Sequence, residues 1–472
     1  MEKQSPEFVK SYIAELVSKA KVAQKTFERS ATDQHSVDVA VRAVGKSVFD
    51  AAQTLAEEAF RETGMGDIAS KVAKTQMIPL KLWEYTKGRP SVGVIDDFSE
   101  PGIKIIAKPK GVVGAVMPST NPIATAVGNT MMAVKARNAI IIASHPASLQ
   151  GSLHTTQIMR AALKEIGAPE DLVQCIEYPS LDMTNEMLRQ CDVNIATGGA
   201  GMVKSVYSAG RPAFGVGQGN CQVIVDEDYP SFGQLAAMVV ANRAMDQGVP
   251  CTGDQMVIVP AAREEEMKQA LTAGGAYIVE DPEVIDRIRK TVFPTEAINR
   301  AVVGKPAAAL AKIFGIEIPE GTKALCMKVE GCGAEDPLCR EILCPILRYT
   351  TYTGGFEKAV DIAVANLENE GAGHSSAIWS KHPEHIEYAA NLMPVGRFHV
   401  EQPSVGYNNA VKPPITIGCG SWGNNSISEN LQFYHLMNVT RVTTSLPTPM
   451  DMSPADWDDF SVRPEWGDRV CY

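Results

Sequence analysis

Apolar residues near the start of the chain recur at helical spacing. One predicted helix face carries Val9, Ile13, Leu16, Val17 and Ala20. A spacing of about 3.6 residues predicts an amphipathic helix, and the preceding segment Ser-Pro-Glu has the order of an N-cap, a first-turn proline and a first-turn acid. Such a helix can be a docking or encapsulation peptide. Because no linker separates it from the helical run 37–59, we expect it to pack on its own domain.

Between residues 111 and 226 the pattern changes to short β-rich runs that alternate with helical runs. The predicted strands are GVVGAVMP, NAIIIAS, DVNIAT and CQVIVDE. Strands that alternate with helices of this length predict a parallel sheet covered on both faces. Ligands bind outside the carboxyl ends of such strands. We therefore expect functional residues in the turns 119–121, 144–146 and 197–199.

A second alternation of the same kind follows, with the predicted strands QMVIVP, GAYIVE, ILRYTTY and SSAIWS. The 472 residues also exceed the size at which one core stops growing, about 250–300 residues. We predict an α/β protein with a dinucleotide-binding domain of residues 1–225 and 405–440 and a catalytic domain of residues 226–404. Residues 441–472 lack periodicity and predict a tail, or an arm that lies on a neighbouring subunit.

Composition excludes several classes of function. The net charge of −11 argues against a nucleic-acid partner, because phosphate binding needs a basic surface. The chain has no apolar run of about 18 residues that would span a membrane, and it does not begin like a secretory signal. The ten cysteines include no CxxC pair and are too sparse for a disulfide scaffold. We expect a cytoplasmic protein with reduced thiols and no metal site.

One cysteine stands in an unusual setting. Cys251 follows Pro250 and is soon followed by Gly253 in the segment QGVPCTGDQ, which predicts a sharply turned, exposed loop. A nucleophilic cysteine must be accessible and must be able to form a thiolate. On this peptide alone, a surface cysteine without a function is the alternative.

Two glycine-rich segments suggest close backbone contacts of different kinds. Gly198, Gly199 and Gly201 follow a predicted strand and open a helix, where free amides favour an anionic ligand, although double glycines also occur in ordinary turns. The segment GVGQGN at 215–220 precedes a strand instead, so it is not a dinucleotide fingerprint. We expect its glycines, and those of TIGCGSWGNN, to permit close packing.

These segments occur together in a recognisable order. They are PSTNP, ATGGAGMV, GVGQGN, PCTGDQ, EILCPIL, GAGHSS and TIGCGSWGNNSISEN. Over roughly residues 10–440 this order resembles the aldehyde dehydrogenase superfamily, and in particular its CoA-acylating branch. The resemblance implies a Rossmann-type cofactor domain, a second α/β catalytic domain, and a homodimer or homotetramer.

The resemblance also implies residue roles. Cys251 would attack the aldehyde carbon, and after loss of a hydride to NAD or NADP it would hold the acyl group as a thioester. Asn121 and the backbone N–H of Cys251 would stabilise the oxyanion. Glu341 would hold the nicotinamide ribose. The remaining positions expected beside the dinucleotide are Ser144, His145, Thr197, Gly198 and Gly199. His374 would lie near the site, either as a catalytic residue or as a structural hydrogen-bonding group.

One departure from the superfamily favours coenzyme A as the acyl acceptor. Hydrolytic members have an ELGGK-like segment whose glutamate activates water, whereas this chain has Gln218 in the matching segment. An amide accepts no proton near neutral pH, so attack by water is poorly catalysed. A hydrolytic enzyme stays an alternative if Glu341 reaches the thioester. Reduction of an acyl phosphate and a non-catalytic scaffold are further alternatives.

The aldehyde is suggested by one charged residue. Arg243 precedes the cysteine loop, and its planar guanidinium would bind an anionic tail. This favours a short aldehyde that carries a sulfonate or carboxylate, first of all sulfoacetaldehyde. Thr120 and Thr252 are the other residues expected to contact the substrate. Acetaldehyde and succinate semialdehyde are the alternatives, and a surface ion pair of Arg243 with Asp246 is the competing structural role.

Overall fold

A computed structural model describes residues 5–97, 102–406, 412–413 and 416–445. Within these ranges the α-helices are α1 (Pro6–Ser30), α2 (Gln34–Asp50), α3 (Ala52–Thr63), α4 (Ile68–Thr86), α5 (Pro122–Lys135), α6 (Leu149–Glu165), α7 (Leu181–Gln190), α8 (Ala200–Ser208), α9 (Phe232–Ala244), α10 (Glu264–Ala273), α11 (Pro282–Val292), α12 (Ala307–Phe314), α13 (Phe356–Asn369) and α14 (Pro383–Leu392). The strands are β1 (Gly93–Asp97), β2 (Ile103–Pro109), β3 (Val112–Val116), β4 (Ala139–Ala143), β5 (Val173–Cys175), β6 (Val193–Thr197), β7 (Ala213–Val216), β8 (Cys221–Val225), β9 (Asp254–Pro260), β10 (Ala276–Val279), β11 (Ala324–Lys328), β12 (Ile346–Tyr352), β13 (Gly373–Trp379), β14 (Val395–Val400) and β15 (Met437–Thr443).

The first α/β unit is built on a five-stranded sheet in the order β5-β4-β3-β6-β7. All its strand pairs are parallel, and β3, β4 and most of β6 are buried, which confirms the predicted α/β class. The chain moves outward from β3 through β4 to one edge and then returns to β6 on the other side. Such a reversal of strand order opens a ligand crevice at the carboxyl ends of β3 and β6.

The second α/β unit is a seven-stranded parallel sheet in the order β10-β11-β12-β9-β8-β13-β14. Strand β8 pairs with β9 and β13 and therefore belongs to this sheet. The sequence placed the first unit's end at residue 225, but the change of sheet lies between Val216 and Cys221. The alternating pattern hides this change because β7 and β8 are both short apolar strands without an intervening helix.

A third sheet is antiparallel and joins distant parts of the chain. Its order is β1-β2-β15, and Met437 to Thr443 pair with Pro109 to Ile103. The segment predicted as a tail therefore begins within a strand. Its described part ends at residue 445, and the rest lies outside the described residues.

Helix α1 packs on its own domain, as the sequence predicted. The Ser5 side chain accepts a hydrogen bond from the Phe8 backbone N–H at 3.2 Å and so caps the helix. Its apolar face lies in the same core as β3 and β4, with Ile13 and Ala20 fully buried. Among the described residues, no helix is long and apolar enough to cross a membrane.

Candidate active site

Cys251 lies in the loop between α9 and β9, at the amino end of the seven-stranded sheet. This loop is locally strained, because Asp246 and Gln247 have positive φ angles of 46° and 53°. It closes with a hydrogen bond from the Gly253 N–H to the Pro250 carbonyl at 3.0 Å. Cys251 is half-buried. The sharply turned loop is confirmed, and the cysteine keeps only partial access to solvent.

Arg243 lies directly behind this loop and is fully buried. Its Nη1 donates to the carbonyls of Gly253 and Asp254 at 3.5 and 3.4 Å, and its Nη2 donates to the carbonyl of Gly248. The guanidinium therefore holds the cysteine loop through backbone groups. The predicted contact with substrate has no support in this geometry, and the alternative ion pair with Asp246 is not formed. Thr252 is buried, and its carbonyl accepts a hydrogen bond from Asn242 at 3.1 Å.

His374 contacts Cys251 directly. Residue 374 stands at the start of β13, and its Nε2 lies 3.2 Å from the Sγ of Cys251. The other ring nitrogen, Nδ1, lies 3.9 Å from the Sγ of Cys221, whose thiol is 3.4 Å from the Cys251 carbonyl oxygen. Both predicted residues thus meet, and the sulfur and the imidazole are within proton-transfer distance.

The pair is uncharged at rest. Burial, and secondly the negative charge that Glu341 carries when it is ionised, raise the pKa of Cys251 to about 12. Burial and the positive charge of Arg397 lower the pKa of His374 to about 3. A thiol therefore faces a neutral imidazole, which can accept a proton. Arg397 was not predicted from the sequence. It is buried, and its Nε donates to Ser375 Oγ at 2.9 Å.

Glu341 lies beside the same site. Its Oε1 accepts a hydrogen bond from the Gly219 N–H at 2.8 Å. Burial raises the pKa of Glu341 to about 8, despite this hydrogen bond, which opposes the shift. The Glu341 carboxylate is thus held near the cysteine by the segment that contains Gln218, which is partly buried.

The two glycine segments pack closely, as predicted. A Cβ atom on Gly219 would overlap the carbonyl oxygen of Cys251 and lie 3.1 Å from Cε1 of His374. In the segment TIGCGSWGNN, a Cβ on Gly418 would overlap the carbonyl oxygens of Ile427 and Glu429. Only glycine permits these approaches.

Asn121 is the N-cap residue of α5, where its side chain makes no capping hydrogen bond. Its Oδ1 accepts a hydrogen bond from Lys74 Nζ, which also pairs with the Asp246 carboxylate. Asp246 is fully buried and pairs with Lys71 as well, at 3.2 Å. The sequence analysis missed these lysines. The sequence does show Lys71 and Lys74 three residues apart on α4, which places them on one helix face. This spacing is equally typical of a solvent-exposed helix face.

The predicted cofactor residues line the carboxyl ends of β4 and β6, beside the crevice. Thr197 ends β6, and its Oγ1 is buried without a hydrogen bond to any described residue. At Gly199 a Cβ would meet nothing within 4 Å, and the Gly198 N–H donates to the Val216 carbonyl at 3.2 Å. Ser144 is buried and His145 half-buried after β4. The unpaired hydroxyl of Thr197 and the open space beside Gly199 fit a polar dinucleotide at the carboxyl ends of β4 and β6.

Comparison with known proteins agrees with this geometry. Residues 4–284 match the model of the aldehyde dehydrogenase family. The chain is 45% identical to the succinate-semialdehyde dehydrogenase (acetylating) of Clostridium kluyveri, over 91% of this chain and 95% of that protein. It is 34% identical to the sulfoacetaldehyde dehydrogenase (acylating) of Bilophila wadsworthia, over 90% and 94% of the two chains. The crystal structure of an acetylating aldehyde dehydrogenase from Geobacillus thermoglucosidasius superposes with a TM-score of 0.89 at 32% identity, covering 93% of this chain and 98% of that one.

The chain therefore belongs to the aldehyde dehydrogenase family. Within that family it is a CoA-acylating, NAD(P)-dependent enzyme, since relatives that match nearly its whole length are acylating or acetylating dehydrogenases. The predicted fold class, family and enzyme class are confirmed.

Proposed function

We propose that this enzyme interconverts a short aldehyde with a negatively charged tail and the corresponding acyl-CoA, through a thioester on Cys251. The observation that carries the chemistry is the contact of 3.2 Å between Cys251 Sγ and His374 Nε2. Succinate semialdehyde is the leading substrate, because the relative with 45% identity acts on it by name. Sulfoacetaldehyde is the second candidate, favoured by relatives with 35% and 34% identity.

In the first step, the Cys251 thiol gives its proton to His374 as the sulfur attacks the aldehyde carbon. Because the resting thiol and imidazole are both neutral, charge develops only as the carbon–sulfur bond forms. The negative charge then falls on the aldehyde oxygen, where the Asn121 amide and the Cys251 backbone N–H donate hydrogen bonds. The resulting thiohemiacetal oxyanion loses a hydride and becomes the thioester. His374 then releases the Cys251 proton to solvent and is neutral again before coenzyme A arrives.

The cofactor supplies one function, the acceptance of that hydride by its nicotinamide. We propose that Glu341 holds its ribose, and that Thr197, Gly198 and Gly199 lie along its phosphates. Ser144 and His145 lie after β4, and no acid follows that strand to select for a free ribose hydroxyl. NAD and NADP therefore both fit these residues.

In the second step, the CoA thiol gives its proton to His374 and attacks the thioester carbonyl. The Cys251 sulfur leaves and recovers a proton, so that aldehyde, CoA and NAD(P)⁺ yield acyl-CoA, NAD(P)H and one proton. The matching segment offers Gln218 where a hydrolytic enzyme has a glutamate, and Glu341 is bonded to the Gly219 N–H. Both features support CoA over water as acyl acceptor.

The relatives support an anionic substrate. Succinate semialdehyde and sulfoacetaldehyde, the aldehydes in their names, both carry a negatively charged group. Thr120 and Thr252 stay predicted substrate contacts, and a cytoplasmic dimer or tetramer stays a prediction.

The test is a comparison of aldehydes with and without CoA. Reduction of NAD⁺ and NADP⁺ would be followed with succinate semialdehyde, sulfoacetaldehyde and acetaldehyde, using Cys251→Ala as the control. We expect CoA-dependent reduction that is fastest with an anionic aldehyde and lost in the variant. Reduction that is indifferent to CoA would contradict acyl transfer, and a preference for acetaldehyde would contradict the anionic substrate.

A further inference from the structure

Lys74 connects two parts of the site that belong to different elements. It lies on α4, and its Nζ donates both to the Oδ1 of Asn121, at the start of α5, and to the Asp246 carboxylate, in the cysteine loop. We propose that Lys74 is a positioning residue, which fixes the Asn121 amide so that its Nδ2 faces the oxyanion. This inference rests on the oxyanion role of Asn121 proposed above.

The reason lies in the asymmetry of an amide. Oδ1 and Nδ2 occupy almost the same space, but Oδ1 only accepts hydrogen bonds and Nδ2 only donates them. An amide turned by half a rotation would present lone pairs to the negative oxygen and would repel it. The ammonium of Lys74 has donors and no acceptor. Only the Oδ1 end of Asn121 can therefore face Lys74.

Nothing else among the described residues sets this orientation. The Asn121 side chain makes no capping hydrogen bond to α5. Its Nδ2 donates to no described residue, so it is available to the substrate, and its bond to Lys74 is the side-chain contact that distinguishes its two ends. Loss of Lys74 would let the amide populate both orientations.

Asp246 fixes the position of Lys74 in turn. Its Oδ1 accepts a hydrogen bond from the Asp67 N–H at 2.8 Å, and its own N–H donates to Ser70 Oγ at 3.2 Å. These bonds tie α4 to the loop that carries Cys251. The Asp246 carboxylate thereby fixes the position of the Asn121 amide relative to the Cys251 loop. These two elements carry the two proposed oxyanion donors, the Asn121 amide and the Cys251 N–H.

The experiment uses two lysines that share one partner. Lys71 and Lys74 both pair with Asp246 Oδ2, but only Lys74 contacts Asn121. Lys71→Met therefore removes the same charge from the same carboxylate and leaves the amide contact intact. Lys74→Gln removes the charge and offers Asn121 both a donor and an acceptor, so it distinguishes the two ends of the amide less well than lysine does. Each variant would be made alone, and Lys74→Met and Lys74→Gln also together with Asn121→Ala.

We expect Lys74→Met to lower kcat by about 10- to 100-fold with KM little changed, which is part of the 10²–10³-fold loss typical of removing an oxyanion donor. Lys71→Met should change kcat by less than ~3-fold. The loss in Lys74→Gln should lie between those of Lys71→Met and Lys74→Met, because its amide can present either a donor or an acceptor to Asn121. In the Asn121→Ala background, the further loss from Lys74→Met should almost vanish. Thermal unfolding of each variant checks that the fold is kept.

Two results would overturn the inference. Equal losses from Lys74→Met in both backgrounds would show that Lys74 acts elsewhere, and equal losses from Lys71→Met and Lys74→Met would point to the charge of the cluster. If Asn121→Ala itself leaves kcat unchanged, the oxyanion role fails first, and that failure is visible without any lysine variant. Should Lys74→Met not fold, the same comparison of backgrounds applies to Lys74→Gln.

Discussion

The Cα of Gly219 lies so close to the Cys251 carbonyl that any side chain at residue 219 would overlap it. We expect Gly219→Ala to displace the cysteine loop and to lower kcat about 10²-fold, since small misplacements of reacting groups have effects of this size. Gly217→Ala is the matched control, because a Cβ there meets nothing within 4 Å. Steady-state rates that fall equally in both variants would contradict this account.

His374 should matter in both half-reactions. His374→Ala removes the group 3.2 Å from the Cys251 sulfur, and we expect kcat to fall about 10²–10⁴-fold for aldehyde oxidation and for acyl-CoA reduction. Cys221→Ala removes the thiol on the opposite ring nitrogen, 3.9 Å away, and should cost far less. A purely structural histidine would show the opposite result, with lower thermal stability and nearly normal rates.

The Cys251 thiol should react slowly with electrophiles at neutral pH. Its pKa is raised to about 12, so the thiolate fraction, and with it the rate of alkylation, should rise about tenfold per pH unit through the range pH 7–10. The measurement is carboxamidomethylation of the Cys251 peptide by iodoacetamide, followed by mass spectrometry without substrates. A plateau near pH 7 would indicate a preformed thiolate instead.

Glu341 should make stability fall with rising pH. Its pKa is about 8 in the folded chain and about 4.3 when unfolded, so between these values the folded state binds the extra proton. The stabilising effect of that proton is complete at low pH and is lost as pH rises through 8. Glu341→Gln keeps an acceptor for the Gly219 N–H and removes the titration. The melting temperature of Glu341→Gln minus that of the unmodified chain should increase by at least about 2 °C between pH 5 and pH 9. A constant difference would contradict the raised pKa.

Arg243 distinguishes a structural from a substrate role. Because its guanidinium donates to three loop carbonyls, Arg243→Met should leave buried acceptors unsatisfied, at about 1–3 kcal/mol each. We expect lower thermal stability and similar fractional losses of kcat/KM with succinate semialdehyde, sulfoacetaldehyde and acetaldehyde. A loss confined to the two anionic aldehydes would restore the substrate contact predicted from the sequence.

Periodicity predicted the local elements well, because it reports burial within one element. The capped helix α1 and the strands β3, β4, β6 and β9 follow directly from it. The antiparallel pairing of β15 with β2 was not predicted, since partners that lie this far apart in the sequence, such as Met437 and Pro109, leave no local pattern. The change of sheet at β8 was missed for the same reason.

In the candidate site, a sequence motif can identify a single residue but does not show which distant residues contact it. Cys251 was recognisable from its turn and from the resemblance. The Lys74–Asp246 pair was not, because its members are far apart in sequence and Asp246 seemed placed to pair with Arg243. The rule that ligands meet the carboxyl ends of strands predicts a cofactor site in the turns after β4 and β6. It could not place Cys251 and His374, which lie at the amino ends of β9 and β13.

The neutral state of Cys251 also affects how the enzyme withstands oxidants. The thiolate is the form that attacks peroxides and disulfides, so a thiol that stays protonated until an aldehyde arrives is rarely oxidised. The burial that keeps the Cys251 thiol protonated thus protects it. We therefore expect Cys251 to be oxidised more during turnover than in enzyme stored without substrates.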